Sequence, residues 1–285
     1  MARSRQFRRV LVGLRSLRRS PCLPACPTRM RLSAIAAWRQ SRESASALAS
    51  IPVNGTAQCE SARVARLLDA QDMAAKLFDE VTERGLVRVG IGERALADEI
   101  RDLAASMFGI TRHWHKRIVR SGENTLETAR GNPPDRRIAN DDVVFLDFGP
   151  IFEEWEADFG RTYVLGNDPH KLALCEHLPQ VWQAGHDYFH RSPDITGEQL
   201  FENVAAVSRD FGWDFGGVIA GHLVGEFPHD KIEGEDIDSY IAPGSTHPMR
   251  RKDRSGNICH WILEVHLVDR ARRYGGFYEE LLDIP

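Results

Sequence analysis

Four short apolar runs in this 285-residue chain each carry one acid where a buried strand would hold only hydrocarbon, and that pattern restricts the fold more than any other feature. The first pair lies between Asp141 and Gly166. Val143 to Phe148 reads V-V-F-L-D-F, with Asp147 near its end. After Gly149-Pro150 a second strand, roughly Glu156 to Leu165, returns with Asp158. Runs rich in Val, Phe and Tyr separated by turn residues read as a hairpin, which sets Asp147 and Asp158 side by side on one face. Two carboxylates brought together in apolar surroundings repel and take up a proton unless a cation lies between them. A divalent metal is the simplest such cation; the alternative is a turn residue beside a core acid with satisfied partners.

The second pair closes the chain. His260 to Val268 carries Glu264, and Gly276 to Ile284 carries Glu279 or Glu280. Two amphipathic helices precede each pair. Ahead of the first, Val64, Leu67, Leu68, Ala74, Leu77, Phe78 and Val81 recur at helical spacing up to Gly85, and a second stripe runs from Glu93 to Phe108. Ahead of the second, Asp168-Pro169 starts a helix reaching about His190, with Asp as N-cap and Pro at the first position. Thr196 and Gln199 then form a capping box for a helix closed by Gly212. The chain is therefore a weak repeat of helix-helix-hairpin units about 110 residues apart. Two such halves facing each other would pool four carboxylates. Thr111 to Arg120 reads as a further strand on which His113 and His115 share a side. A glycine-dense segment, Phe215 to Gly225, contains His222.

Charge narrows the partners. The formal net charge of -4 hides an asymmetry: residues 1–42 hold 11 of the 37 basic residues and no acid, which leaves 26 basic against 41 acidic beyond them. Such an acidic body is unsuited to nucleic acid or anionic membrane and suited to metal cations. No apolar run approaches the roughly 20 residues that span a bilayer. Residues 1–55 read as a disordered or targeting extension, with 56–285 as one catalytic domain. Arg-rich, acid-poor composition is that of mitochondrial presequences, so the expected location is cytoplasmic, or mitochondrial if the extension is an address. Cys22, Cys26, Cys59, Cys175 and Cys259 are odd in number and irregular in spacing, and read as free thiols. Asn54-Gly55-Thr56 is a chance sequon.

Asp147, Asp158, His222, Glu264 and Glu279 stand in the order of the five ligands of the pita-bread metallopeptidases, a superfamily that includes methionine aminopeptidase, aminopeptidase P, prolidase and creatinase. The chain resembles that family in three further places. V-F-L-D-F-G-P followed by A-D-F-G-R-T is similar to its first ligand pair. Gly221 to His229, G-H-L-V-G-E-F-P-H, is similar to its Gly-His-Gly-Ile-Gly segment with a second His seven residues on. Ile118 to Thr125, I-V-R-S-G-E-N-T, is similar to its Ile-Val-x-Ser-Gly-x-Asn element. The resemblance covers about residues 60–285, the catalytic domain only. It implies an α/β (α+β) pita-bread fold, two pseudo-symmetric helix-helix-hairpin halves around a curved antiparallel sheet. It implies two divalent ions, Mn first and Co, Fe or Zn as alternatives, with Asp147 on one ion, His222 and Glu264 on the other, and Asp158 and Glu279 bridging. Glu264 would carry the proton of the attacking water and His229 would stabilise the oxyanion.

The activity implied is that of a dinuclear aminopeptidase cleaving the N-terminal bond of short peptides, Xaa-Pro peptides first, through a metal-bridging hydroxide. The alternatives are a methionine aminopeptidase-like enzyme or a non-peptidase binding protein of the same fold. The expected partner is a small peptide, with a homodimer possible. Two departures bear on proline preference. Where aminopeptidase P, prolidase and methionine aminopeptidase carry a His shortly before the first ligand Asp, this chain has Thr128-Ala129-Arg130-Gly131. Where aminopeptidase P has a His four residues before its ligand His, it has Val218. His113 and His115 are the candidates to compensate.

Overall fold

The structure, a computed structural model, describes residues 60–227, 236–253 and 255–284. The extension 1–55, the sequon, His229 and Cys22, Cys26 and Cys59 lie outside the described residues. Cys175 Sγ donates to the Thr162 carbonyl, and Cys259 is a buried free thiol. Among the described residues no helix is long and apolar enough to cross a membrane.

The first half opens with α1 (Glu60–Glu83) and α2 (Glu93–Phe108), followed by strands β1 (Ile118–Ser121) and β2 (Val143–Phe148). A small hairpin of β3 (Ile151–Phe152) and β4 (Trp155–Glu156) leads to β5 (Phe159–Val164). The second half opens with α3 (Pro169–Arg191) and α4 (Gly197–Asp210), followed by β6 (Asp214–Phe215), β7 (Gly221–Val224), β8 (His260–Asp269) and β9 (Tyr274–Leu281). One antiparallel sheet has the order β1-β2-β5-β9-β8-β6, with β7 also on β8. The halves meet at β5 and β9, where Gly160 pairs with Glu279.

Local sequence explains the helices. The buried stripe of α1, including Leu67, Ala74, Leu77, Phe78 and Val81, follows the three- and four-residue spacing of a single face. Phe78 sets that stripe edge-on against Phe148 and Phe159 of the sheet. Truncating the fully buried Leu77 to Ala would cost about 2–5 kcal/mol by transfer and cavity terms together. Gly109 ends α2 at φ 70, and its N–H donates to the Ala105 carbonyl. Asp168 caps α3 by accepting from the N–H groups of His170 and Lys171, with Pro169 next. Both hydrogen bonds of the Thr196–Gln199 capping box are made at the start of α4. The α1–α2 core and the α3–α4 core are separate clusters, the first reaching Val224, Ile262 and Leu281 of the second half and the second reaching Val143 of the first.

Three strand boundaries differ from the sequence reading, the last strand running Tyr274–Leu281 rather than Gly276 to Ile284. The strand expected over Thr111 to Arg120 is confined to Ile118–Ser121. Its partner β2 ends at Phe148, and Pro150 offers no N–H to continue a ladder. Residues 111–117 therefore run as a bend, tied by a lone bridge between His113 and Pro150. The return strand begins at Phe159 rather than Glu156, because β3 and β4 turn on themselves through Glu153 (φ 56). Asp158 consequently stands just before its strand. The last two acids take opposite faces of β9. Glu279 is buried opposite Glu264, whereas Glu280 takes the other face, where Arg161 and the Tyr278 hydroxyl donate to it.

Candidate metal centre

Sheet register lines up the acids. Asp147 pairs with Gly160, Gly160 with Glu279, and Glu279 with Glu264, so one row crosses the sheet through three carboxylates and a bare glycine. A Cβ on Gly160 would sit 2.5 Å from the Phe277 ring and 3.1 Å from the Glu279 Cβ. The absent side chain keeps the middle of the row open for Glu279. Asp158 enters from the loop before β5, and His222 from β7, whose other neighbours tie it to β8.

The side chains converge. His222 Nε2 lies 3.1 Å from Asp158 Oδ2 and 4.0 Å from Glu279 Oε1. Its Nδ1 lies 2.8 Å from the Leu223 carbonyl, which takes the Nδ1 proton and leaves Nε2 facing the acids. His115 Nε2 is 3.1 Å from Asp158 Oδ1 and 3.4 Å from Asp147 Oδ1. In two groups, His115–Asp147–Asp158 and Asp158–His222–Glu279, each residue offers one ligand atom within 4.8 Å of the others. Asp158 belongs to both. Asp147, Asp158, His222 and Glu279 are all buried, and one oxygen each of Glu264 and Glu279 is buried with no hydrogen-bond partner among the described residues.

Electrostatics expresses the crowding. Burial pushes Asp147 up to about 7, against the pull of His115. Burial likewise pushes Glu264 up to about 8, against the pull of His222. Glu279 is raised well above the usual carboxylate range by burial and by Asp158, Asp147 and Glu264. Burial would raise Asp158 too, but the charges and hydrogen bonds of His115 and His222 outweigh it and hold the group low. Burial depresses both imidazoles, yet the facing carboxylates prevail and raise His115 and His222 to about 9. Protons thus stand in for positive charge among acids that cannot all ionise together. The orphaned oxygens of Glu264 and Glu279, and a donor set of carboxylates with imidazole, fit divalent cations of the Mn, Co, Fe and Zn kind.

All five expected ligand residues fall in or beside this cluster. His113 and His115, paired in the sequence reading, do not act together. His113 packs on the Phe148 ring with its Nε2 buried and unpartnered, and burial pushes it down to about 4. His115 faces Asp158. The sequence signal for that difference is weak, since it depends on a bend and on Gly149 from another segment.

The profile of metallopeptidase family M24 matches residues 65–255. An uncharacterized peptidase of Staphylococcus haemolyticus is 30% identical over 95 residues, 33% of this chain and 26% of the relative. The match thus spans about a quarter of that relative's length. Among solved structures, a dipeptidase from Pyrococcus horikoshii OT3 is similar with a TM-score of 0.60 at 22% identity, over 77% of this chain and 56% of that one. An X-Pro aminopeptidase from Thermotoga maritima MSB8 is similar with a TM-score of 0.62 at 18% identity, over 78% of this chain and 58% of that one. At these identities the two structures speak for a shared fold.

Proposed function

Because the chain belongs to metallopeptidase family M24, we propose that it is a dinuclear aminopeptidase that removes the N-terminal residue of short peptides, Xaa-Pro peptides among its substrates. The observation that carries this reading is the convergence of Asp158 and His222 on a row of three carboxylates across the sheet, with Asp158 common to both possible ligand groups. The two similar structures, a dipeptidase and an X-Pro aminopeptidase, support the substrate class.

Asp147, Asp158, His222, Glu264 and Glu279 would hold the ions. When bound, two divalent ions supply Lewis acidity and lower the pKa of water. The protein's own part is proton handling and exclusion of water. Glu264 has a carboxyl oxygen that none of the described residues satisfies, which leaves it open to take a proton and hand it to a leaving amine. His222 is held in one orientation by the Leu223 carbonyl. His229, outside the described residues, takes the oxyanion role on the strength of the sequence resemblance.

A metal-supplemented screen of dipeptides and Xaa-Pro tripeptides tests the reading. Release of the free N-terminal amino acid with Mn²⁺ or Co²⁺, and none from Asp158→Asn, is the expected result. Two ions bound at full occupancy with no peptide cleaved would favour a binding protein of the same fold.

A further inference from the structure

The four acids and one imidazole of the proposed site leave one polar ring unexplained. We infer that His115 is itself a metal ligand, its Nε2 joining Asp147 and Asp158 around one ion while His222 serves the other, so that each ion has an imidazole. This rests on the dinuclear reading above and adds a sixth residue to it.

The position of the ring is the first argument. Nε2 stands 3.1 Å from Asp158 and 3.4 Å from Asp147, between oxygens of two acids from different segments. A lone N–H needs one acceptor; a nitrogen flanked by two carboxylates is where a shared cation places its donors. The side chain is 18% exposed, and Asp158 Oδ1 is the hydrogen-bond partner of Nε2.

The ring is also fixed from behind. The Trp114 indole lies edge-on to both imidazoles, 4.6 Å from His115 and 5.0 Å from His222. It is held by its Nε1–H to the Ala157 carbonyl at 3.1 Å, and its backbone N–H donates to Gly149 at 2.9 Å. Gly149 supplies the room. A Cβ there would fall 2.2 Å from His115 Cδ2 and 2.5 Å from Nε2, a distance no side chain tolerates. Packing against an indole that is itself held by two hydrogen bonds fixes the ring's orientation, as the surroundings of a metal ligand commonly do.

Symmetry gives the third argument. His222 pairs with Ile262, two residues before Glu264. At the corresponding place in the first half, opposite Phe145 and two residues before Asp147, stands Arg120. A guanidinium cannot ligate a cation. The first half therefore draws its imidazole from the bend ahead of β1.

The test is titration of the metal-free full-length protein with Mn²⁺, read by stoichiometry and by pulsed EPR of the bound ion after ¹⁵N-histidine labelling. The unsubstituted protein should bind two ions and show coupling to two imidazoles. His115→Ala and His115→Gln should keep one ion, coupled to His222, and weaken the other by at least about 10-fold, the lower bound seen even for residues that only support ligands. His222→Ala should keep an ion that still shows an imidazole coupling. Two ions bound by His115→Gln at unaltered affinity, or a single imidazole coupling in the unsubstituted protein, would overturn the assignment and leave His115 as an ion-pair partner of Asp158. Failure of the unsubstituted protein to bind any Mn²⁺ would instead overturn the dinuclear reading beneath it. The EPR measurement on the unsubstituted protein decides even if a variant does not fold.

Discussion

The two halves of the sheet solve the same problem with different residues. In both, an acid on the middle strand faces an acid at or near the return strand: Asp147 with Asp158, Glu264 with Glu279. In the second half the imidazole sits in the sheet, on β7, in register with the strand that carries Glu264. In the first half that register position belongs to Arg120, buried, with its Nε unpartnered and its NH2 donating to the Gly131 carbonyl at 2.9 Å. The imidazole arrives there from irregular backbone, through a gap left by Gly149. A repeated scaffold thus fixes where carboxylates converge, while the neutral donor is free to come from whichever segment reaches the row.

The comparison can be broken most sharply at the paired acids. Glu264→Gln is expected to lower the hydrolytic rate by about 10²–10⁴, the scale of a lost proton carrier, while Asp147→Asn is expected to act through lost metal. Rate measured beside metal content separates the two, and equal rate losses at full occupancy would make the halves chemically equivalent.

Chelation tests the join between them. If ions hold the acids of both halves, removing a metal present at 100 times its dissociation constant withdraws about 2.7 kcal/mol. For a domain of this size that is a fall in Tm of about 5–10 °C. An unchanged melt after chelation would mean that the acid row is satisfied by protons alone.

The Gly149 gap is a subtler lever. Gly149→Ala should force the His115 ring out of place at a cost of about 1–3 kcal/mol, the usual range for overpacking, and should weaken the same ion as His115→Ala. His113→Phe is the control. That side chain lies on Phe148 with its Nε2 unpartnered, so metal titration should be unmoved.

The smallest effect belongs to a second join between the halves. His260 Nε2 lies 2.7 Å from Glu60 on α1 and its Nδ1 2.8 Å from Asp283. Burial depresses this imidazole, but Asp283 and Glu60 outweigh it and raise its pKa. A raised imidazole contributes its full stabilisation below the unfolded value of about 6.5 and loses it as pH rises through the higher folded value. The Tm gap between the unsubstituted protein and His260→Gln should be open by a few °C at pH 6 and narrow at higher pH. A gap that widens with pH would reverse the sign and count against an ion pair.

How much of this was legible in the sequence follows from how local each signal is. Helical stripes, the Asp168 and Thr196 caps and single acids in apolar runs are read within a few residues, and they give four helices, the paired strands and the row of acids. The extent of β1 was not legible, because it depends on where β2 stops; Ile118 and Val119 look like strand, and the residues before them have no partner to pair with. Asp158 leaves its strand because β3 and β4 intervene. His115 was visible as a candidate but not as a neighbour of Asp158, since that contact crosses 43 residues and needs a glycine between them. The choice of Glu279 over Glu280 needed only the pleat.

Trp114 has a consequence of a different kind. An indole set 4.6 Å and 5.0 Å from two imidazoles is an optical probe already installed at the centre. Protonated imidazole quenches indole emission, and a cation on either ring would displace its proton. The fluorescence that Trp114→Phe removes should therefore report, without any label, whether the rings carry protons or metal.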